Sequence, residues 1–369
     1  MASFENKKKN KKIRNEEKIK NEEKIRNEKY PFVSICTPTF NRRPFYDMTI
    51  SCFNHQTYPK DRMEWIIIDD GTDKIEDLVI NLPQVKYFKY DEKMNLGKKR
   101  NLMHDKSMGE IIVYMDDDDY YPPDRVSHAV ETLQQNPKAM IAGSSEMYIY
   151  FKHIQKMYKF GPYGPNHATA ATFAFRREYL KQSRYEDNAA LAEERHFLKD
   201  FSAPFIQLNS LKTILVFSHI HNTFDKKSLL EEPNPFVTLS TKNVDEFIQN
   251  ESIKDFFMNK IDGLLDLYEP GRIENKPEVL KQIEEIKIKR KKMIEEGQKK
   301  NMEMVNSLPP NIIKQLTDNH HIINFLNNEN KVLKEKNLYL ENKIKEIITS
   351  KIVSLKKEQQ EQREQKEEV

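Results

Sequence analysis

The 369-residue chain balances 61 Lys and Arg against 58 Asp and Glu, a formal net charge of +3, which excludes a polyanion binder driven by bulk charge. Charged residues make up 32% of it and the mean hydropathy is −0.81, so part of the chain is solvated helix or tail rather than core. No run approaches the roughly 20 apolar residues of a membrane span. Met1–Lys7 also lacks the apolar core of a signal peptide, so a soluble, cytoplasmic protein is expected.

Residues 1–29 form a charged low-complexity arm. Lys12-Ile13-Arg14-Asn15-Glu16-Glu17 recurs in near copies at 18–23 and 24–29. Its isoleucines recur every six residues, which fits neither a helix face nor a heptad, and the interleaved glutamates argue against nucleic acid. From Pro31 the character changes. Phe32–Thr37, Met63–Ile68, Val85–Tyr90 and Glu110–Met115 read as buried strands. Helical patterns at Phe45–Gln56, Lys98–Lys106 and Asp124–Gln134 lie among them. Strands alternating with helices predict an α/β fold, a mainly parallel sheet flanked by helices, over residues 30–227. Its second half has apolar runs at Ala168–Phe175 and Thr213–Phe217 and a helical stretch at Leu191–Phe201. Cys36 and Cys52 lie in apolar surroundings without a CxxC pattern, as reduced buried thiols do.

A charged helical extension follows over 228–317, then a coiled coil over 318–357 and a charged tail over 358–369. In the coiled coil, Leu326, Leu333, Leu340 and Ile347 recur every seven residues, with Ile323, Asn330, Asn337 and Ile344 three positions earlier. That is an a/d seam with asparagine at two a positions, which fixes register and favours a parallel homodimer.

The chemistry concentrates in loops that follow strands. Gly109–Met115 runs as an apolar strand into Asp116-Asp117-Asp118-Asp119, and Pro122 and Pro123 stop it from continuing. Packed carboxylates repel, so a fold gathers them where a cation compensates. The C-terminal ends of strands are where open α/β sheets bind ligands. A divalent-metal site for a phosphorylated ligand is the expectation, with Mn²⁺ or Mg²⁺ suiting hard oxygen donors and a diphosphate. Three weaker clusters precede it: Thr37-Pro38-Thr39-Phe40-Asn41-Arg42-Arg43, Asp69-Asp70-Gly71-Thr72-Asp73, and Asn95-Leu96-Gly97-Lys98-Lys99-Arg100-Asn101. The last opens a helix with basic residues, as phosphate sites do.

In this order the clusters resemble the family 2 glycosyltransferases of GT-A fold, over residues 31–225. Thr37-Pro38-Thr39-Phe40-Asn41-Arg42 stands for the family's Pro-Thr-Tyr-Asn-Arg, and Asp69-Asp70-Gly71-Thr72 for its Asp-Asp-Gly-Ser. Asn95, Gly97, Arg100 and Asn101 match Asn-x-Gly and Arg-Asn. Gly109-Glu110-Ile111, Asp116–Asp119 and Pro123-Asp124 match the stretch around its Asp-x-Asp motif. The resemblance implies an inverting, metal-dependent transfer of sugar from a nucleotide-sugar, expected to be a UDP-sugar, to an acceptor hydroxyl. It implies donor binding by Thr37, Pro38, Thr39, Asn41, Arg42, Asp69, Asp70, Asn95, Gly97, Arg100, Asp116 and Asp117. It places the metal on Asp118 with Asp116, and Asp117 and Asp119 remain candidates because four consecutive aspartates leave the frame open. Asp117 is expected to point away as the strand alternates, and Asp119 to shape the turn. Glu193-Glu194 stands where the family has Glu-Asp, which makes Glu194, then Glu193, the candidate base. In Phe217-Ser218-His219-Ile220-His221-Asn222-Thr223, His219 is the candidate for the metal or pyrophosphate, with His221 on the other face. The aromatic, Gly- and Pro-rich segment Phe160–His167 is a candidate acceptor loop. A sugar-phosphate nucleotidyltransferase would favour a glycine-rich triphosphate loop, and Thr37–Arg43 has no glycine. A coiled-coil adaptor with a degenerate transferase domain is the non-catalytic alternative.

Overall fold

The computed structural model describes residues 18, 20–191, 193–231, 233–306 and 309–367. Two copies of the arm repeat lie wholly or partly outside the described residues; its last part, 20–29, is an exposed helix. The chain divides into two compact units, Met1–Ile286 and Lys287–Val369.

In the first unit, β1 (Val33–Thr39), β2 (Met63–Asp69), β3 (Val85–Lys89) and β4 (Ile111–Tyr114) fall where the sequence places strands. With β5 (Ile141–Gly143), β8 (Ala174–Arg176) and β9 (Phe205–Gln207) they form a seven-stranded sheet in the order β3-β2-β1-β4-β8-β5-β9. β1 runs parallel to β2 and β4, β2 to β3 and β5 to β9, and β8 is antiparallel to both its neighbours. The expected mainly parallel sheet is therefore present.

Buried strands this apolar need cover on both faces. Ile35, Trp65, Ile67 and Val113 pack on one side with α1 (Tyr46–Asn54) and α3 (Arg125–Gln135), through Phe53, Val126 and Leu133. Cys36, Ile66, Ile68, Ile112 and Tyr114 point to the other side, toward Met103 of α2 (Leu96–Lys106) and toward Tyr179, Tyr185 and Phe197. The two sets alternate along each strand, as the pleat requires. In register, Thr39 pairs Asp69 and Cys36 pairs Tyr114, so β1, β2 and β4 release their following loops at one edge.

Three features differ from the sequence-based expectation. The helical stretch expected over Leu191–Phe201 reduces to one turn, α4 (Glu194–Phe197), because Lys199, Asp200 and Phe201 have positive φ and cannot continue a right-handed helix. A second sheet, β10-β6-β7-β11, comes from β6 (Met147–Phe151), β7 (Lys156–Phe160), β10 (Leu215–Ser218) and β11 (Val237–Leu239). Finally, residue 227 is not a break in packing. The short helices Glu251–Asp255 and Ile261–Asp266 lie in the same unit, where Phe257 stacks on Phe217 at 4.6 Å and Leu265 is fully buried. Apolar residues of the extension cover the second sheet, so they complete that core.

α5 (Pro277–Asn306) and α6 (Pro310–Glu367) complete the chain. Over the expected coiled coil α6 is one continuous helix. Its seam residues Ile323, Leu326, Leu333, Leu340, Ile344 and Ile347 are 46% to 64% exposed. Among the described residues no helix is long and apolar enough to cross a membrane.

Candidate active site

The loops leaving β1, β2 and β4 are held by bonds between residues far apart in sequence. Asn41 has φ of +52°, a conformation that asparagine tolerates. Its Oδ1 accepts from the backbone N–H of Thr72 at 2.7 Å and Asp73 at 3.0 Å, and its Nδ2 donates to Pro270 O at 2.9 Å. The Asp69 carboxylate accepts from Gly71 N, Ile75 N and the Tyr87 hydroxyl. Asp70 pairs with Lys99 and accepts from Met94 N at 2.7 Å. Thr37 Oγ1 donates to Met115 O and accepts from Trp65 Nε1. Gly97 is where the 186–189 loop crosses α2: a Cβ there would lie 2.0 Å from Glu186 O.

A pocket opens at this edge. Pro38, Thr39, Arg42, Arg100, Asp116 and Asp117 of the predicted donor residues line it, together with Asp118. Thr37, Asn41, Asp69, Asp70, Asn95 and Gly97 do not; apart from Asn95, the contacts above turn them into the scaffold that shapes the loops. Sequence patterns did not single out Lys93, Thr223, Lys276 and Glu278, which also line the pocket. Lys276 and Glu278 reach it from the segment that leads into α5, and no local motif marks such a long-range approach. The Phe160–His167 segment lies elsewhere. Pro162, Tyr163 and Gly164 border a separate groove with Gln207 and Asn209, and none of them lines this pocket.

Within the acidic run the four carboxylates part company. β4 ends at Tyr114, so strand alternation does not extend into the run and Asp117 does not point away. It is buried 3.6 Å from Arg42 Nε, while its carbonyl accepts from Thr49 Oγ1. Asp119 Oδ1 accepts from Phe217 N and ties the loop to β10. Asp116 faces Arg100 at 3.7 Å. Asp118 Oδ2 lies 3.2 Å from Arg42 Nη2 and 3.3 Å from His219 Nε2. Burial pushes the carboxyls of Asp116, Asp117 and Asp119 up from their usual range. It presses on Asp118 as well, but Arg42 and His219 outweigh it and hold that carboxyl well below the usual range. Burial drives His219 down to about 3, so its imidazole is neutral; its Nδ1 accepts from His221 N, and its Nε2 also lies 2.8 Å from Asn222 Nδ2. His221, by contrast, is packed away: a Cβ on Gly271 would lie 2.6 Å from its Nδ1.

Asp118 Oδ2 and His219 Nε2 are close enough to share one cation. Among the described residues the buried atoms Asp116 Oδ1 and Asp117 Oδ2 have no hydrogen-bond partner, and they are further acceptors in the same loop. Among the described residues no group of three or more His, Cys, Asp or Glu could hold a metal alone. Two protein ligands suit a hard cation that takes its other ligands from phosphate and water, as Mg²⁺ does.

Across the pocket, Arg100 is a buried bridge. Its Nε donates to Glu193 Oε1 at 2.9 Å, its Nη1 faces Asp116, and its guanidinium lies 4.5 Å over the Tyr114 ring. Arg100 thereby commits Glu193. Glu194 makes no ion pair among the described residues, and burial, reinforced by the charge of Glu193, pushes its carboxyl up to about 7.

A carboxylate loop and several cations at the C-terminal edge of a mainly parallel sheet define an α/β domain suited to a phosphate-bearing ligand. Residues 34–193 match the model of glycosyl transferase family 2. An uncharacterized glycosyltransferase of Haemophilus influenzae is 31% identical over 120 residues, 31% of this chain and 47% of that protein. The putative colanic acid biosynthesis glycosyl transferase WcaA of Escherichia coli is 32% identical over 110 residues, 28% of this chain and 39% of its own. The crystal structure of S. aureus TarS 1–349 aligns at 17% identity with a TM-score of 0.41, over 51% of this chain and 60% of that one. The chain spans less than half the length of these two curated relatives.

Proposed function

We propose that this protein is an inverting, divalent-metal-dependent glycosyltransferase that moves sugar from a nucleotide-sugar, a UDP-sugar first among the candidates, to an acceptor hydroxyl. The observation that carries the proposal is one pocket lined by Arg42, Lys99, Arg100 and the low-pKa Asp118, with His219 Nε2 standing 3.3 Å from Asp118 Oδ2. The family match of residues 34–193 supports it.

Asp118 and His219 hold the cation, Mn²⁺ or Mg²⁺. When bound, the cation offsets the negative charge that grows on the departing nucleoside diphosphate. Arg42 balances Asp117 and Asp118 from the side of β1. Arg100 fixes Glu193 and Asp116, so that one loop is braced against the other. Glu194, unpaired and near neutral in pKa, takes the proton of the acceptor hydroxyl. A base with a pKa near the working pH has both the right form and enough basicity. The a/d seam of α6 supports a parallel homodimer through 318–357.

The test is a panel of UDP- and GDP-sugars incubated with the full chain and Mn²⁺, with release of nucleotide as the readout. Metal-dependent release from one donor supports the proposal. No release, and no metal-dependent nucleotide binding, returns the domain to the adaptor alternative.

A further inference from the structure

The pocket is closed on one side by chain from outside the family match. Residues 270–282 cross it as a strap fixed at both ends. At one end Pro270 O accepts from Asn41 Nδ2, and Gly271 sits so close to Asn41 O and His221 that a Cβ would lie 2.9 Å and 2.6 Å from them. At the other end Gln282 Nε2 donates to Asn188 O at 2.8 Å, and Gln282 Oε1 accepts from Ala190 N at 2.9 Å. Between them Glu278 pairs with Lys93, and Lys276 enters the pocket.

Lys276 is unlike the other cations there. Arg42 pairs with Asp118, Lys93 with Glu278, Lys99 with Asp70 and Arg100 with Glu193. Lys276 is only 4% exposed, yet among the described residues it has no carboxylate within ion-pair distance. Its Nζ donates to a neutral hydroxyl, Thr223 Oγ1, at 2.9 Å. A buried ammonium is costly unless it is paired, and a fold keeps one where an anion binds. As a compact point charge with three donors, it suits phosphate oxygens rather than a sugar ring. The Thr223 loop that holds it also carries His219, which contacts Asp118.

We propose that Lys276 is a donor-binding residue whose ammonium holds the diphosphate of the nucleotide-sugar, brought there by the 270–282 strap. This rests on the pocket being the donor site, as proposed above. The strap thus supplies a cation that no carboxylate among the described residues pairs with.

Calorimetric titration of the full chain in Mn²⁺ with UDP, UMP, GDP and GMP tests it. The wild type should prefer one diphosphate over its monophosphate. Lys276→Met should lower that diphosphate-to-monophosphate ratio at least tenfold, with an unchanged melting curve. An unchanged ratio overturns the assignment of Lys276 and leaves the donor site standing. A wild type that binds neither UDP nor GDP overturns the donor site itself, and the assignment with it. If Lys276→Met does not fold, Thr223→Val decides: it keeps the charge and removes its hydrogen bond. The ratio should then fall about threefold, and no change overturns the assignment.

Discussion

Asp118 and Glu194 are both half-buried carboxylates, yet their surroundings push them in opposite directions. Burial raises both. At Asp118 the guanidinium of Arg42 and the imidazole of His219 reverse that effect and keep the group ionised. At Glu194 no cation does so, because Arg100 is spent on Glu193, whose charge raises Glu194 further to about 7. Partners, rather than burial, separate a group suited to a cation from one suited to a proton.

Substitutions at the two carboxylates separate their roles. The largest effect is expected from Asp118→Asn, which should abolish metal-dependent nucleotide binding by calorimetry and take turnover below detection. Retained Mn²⁺-dependent binding would move the metal to another aspartate of the run. Glu194→Gln should keep donor affinity within about twofold and lower turnover roughly a hundred- to a thousandfold. Full turnover in that variant would remove Glu194 as the base.

The same contrast predicts a pH profile. A carboxyl raised to about 7 is protonated in acid, so the base is lost as pH falls through that value. The turnover number should drop about tenfold per pH unit below about 6 and level off above about 8. Glu194→Gln should flatten that limb. A wild-type profile flat from pH 5 to 8 would assign the proton to a different group.

Glu193→Ala should act on stability instead. It strands the buried guanidinium of Arg100, and loss of one partner of such a pair costs about 3–5 kcal/mol. Denaturant titration reads that loss. A variant as stable as the wild type would show that Arg100 finds another partner. The smallest catalytic effect is expected from removing residues 318–369. Turnover should stay within about twofold while the mass in solution halves. An unchanged mass would rule out α6 as the dimer contact.

The sequence carried a large part of this arrangement. Apolar, β-prone runs located β1 to β4, since strands covered on both faces have few positions left for polar side chains. Chain breakers placed the acidic run in a loop at a strand end. What it could not carry was the allotment of partners. Asp69, Asp70 and Asn41 look like ligands in a motif, but three dimensions employ them as loop scaffolding. The one-turn α4 was likewise invisible, because its left-handed exit at Lys199–Phe201 has no glycine to announce it.

The mainly parallel sheet, the loops that bear charge and the helical tail were all legible before folding was considered. These follow from local patterns of apolar, charged and chain-breaking residues. Which carboxylates are paired follows from contacts made in three dimensions. Arg100 meets Glu193 across 93 positions and Asn41 meets Pro270 across 229, and the strap carries Lys276 into the pocket from beyond both. A carboxylate's charge state depends on which groups lie within a few ångströms, and that neighbourhood exists only once the chain has folded.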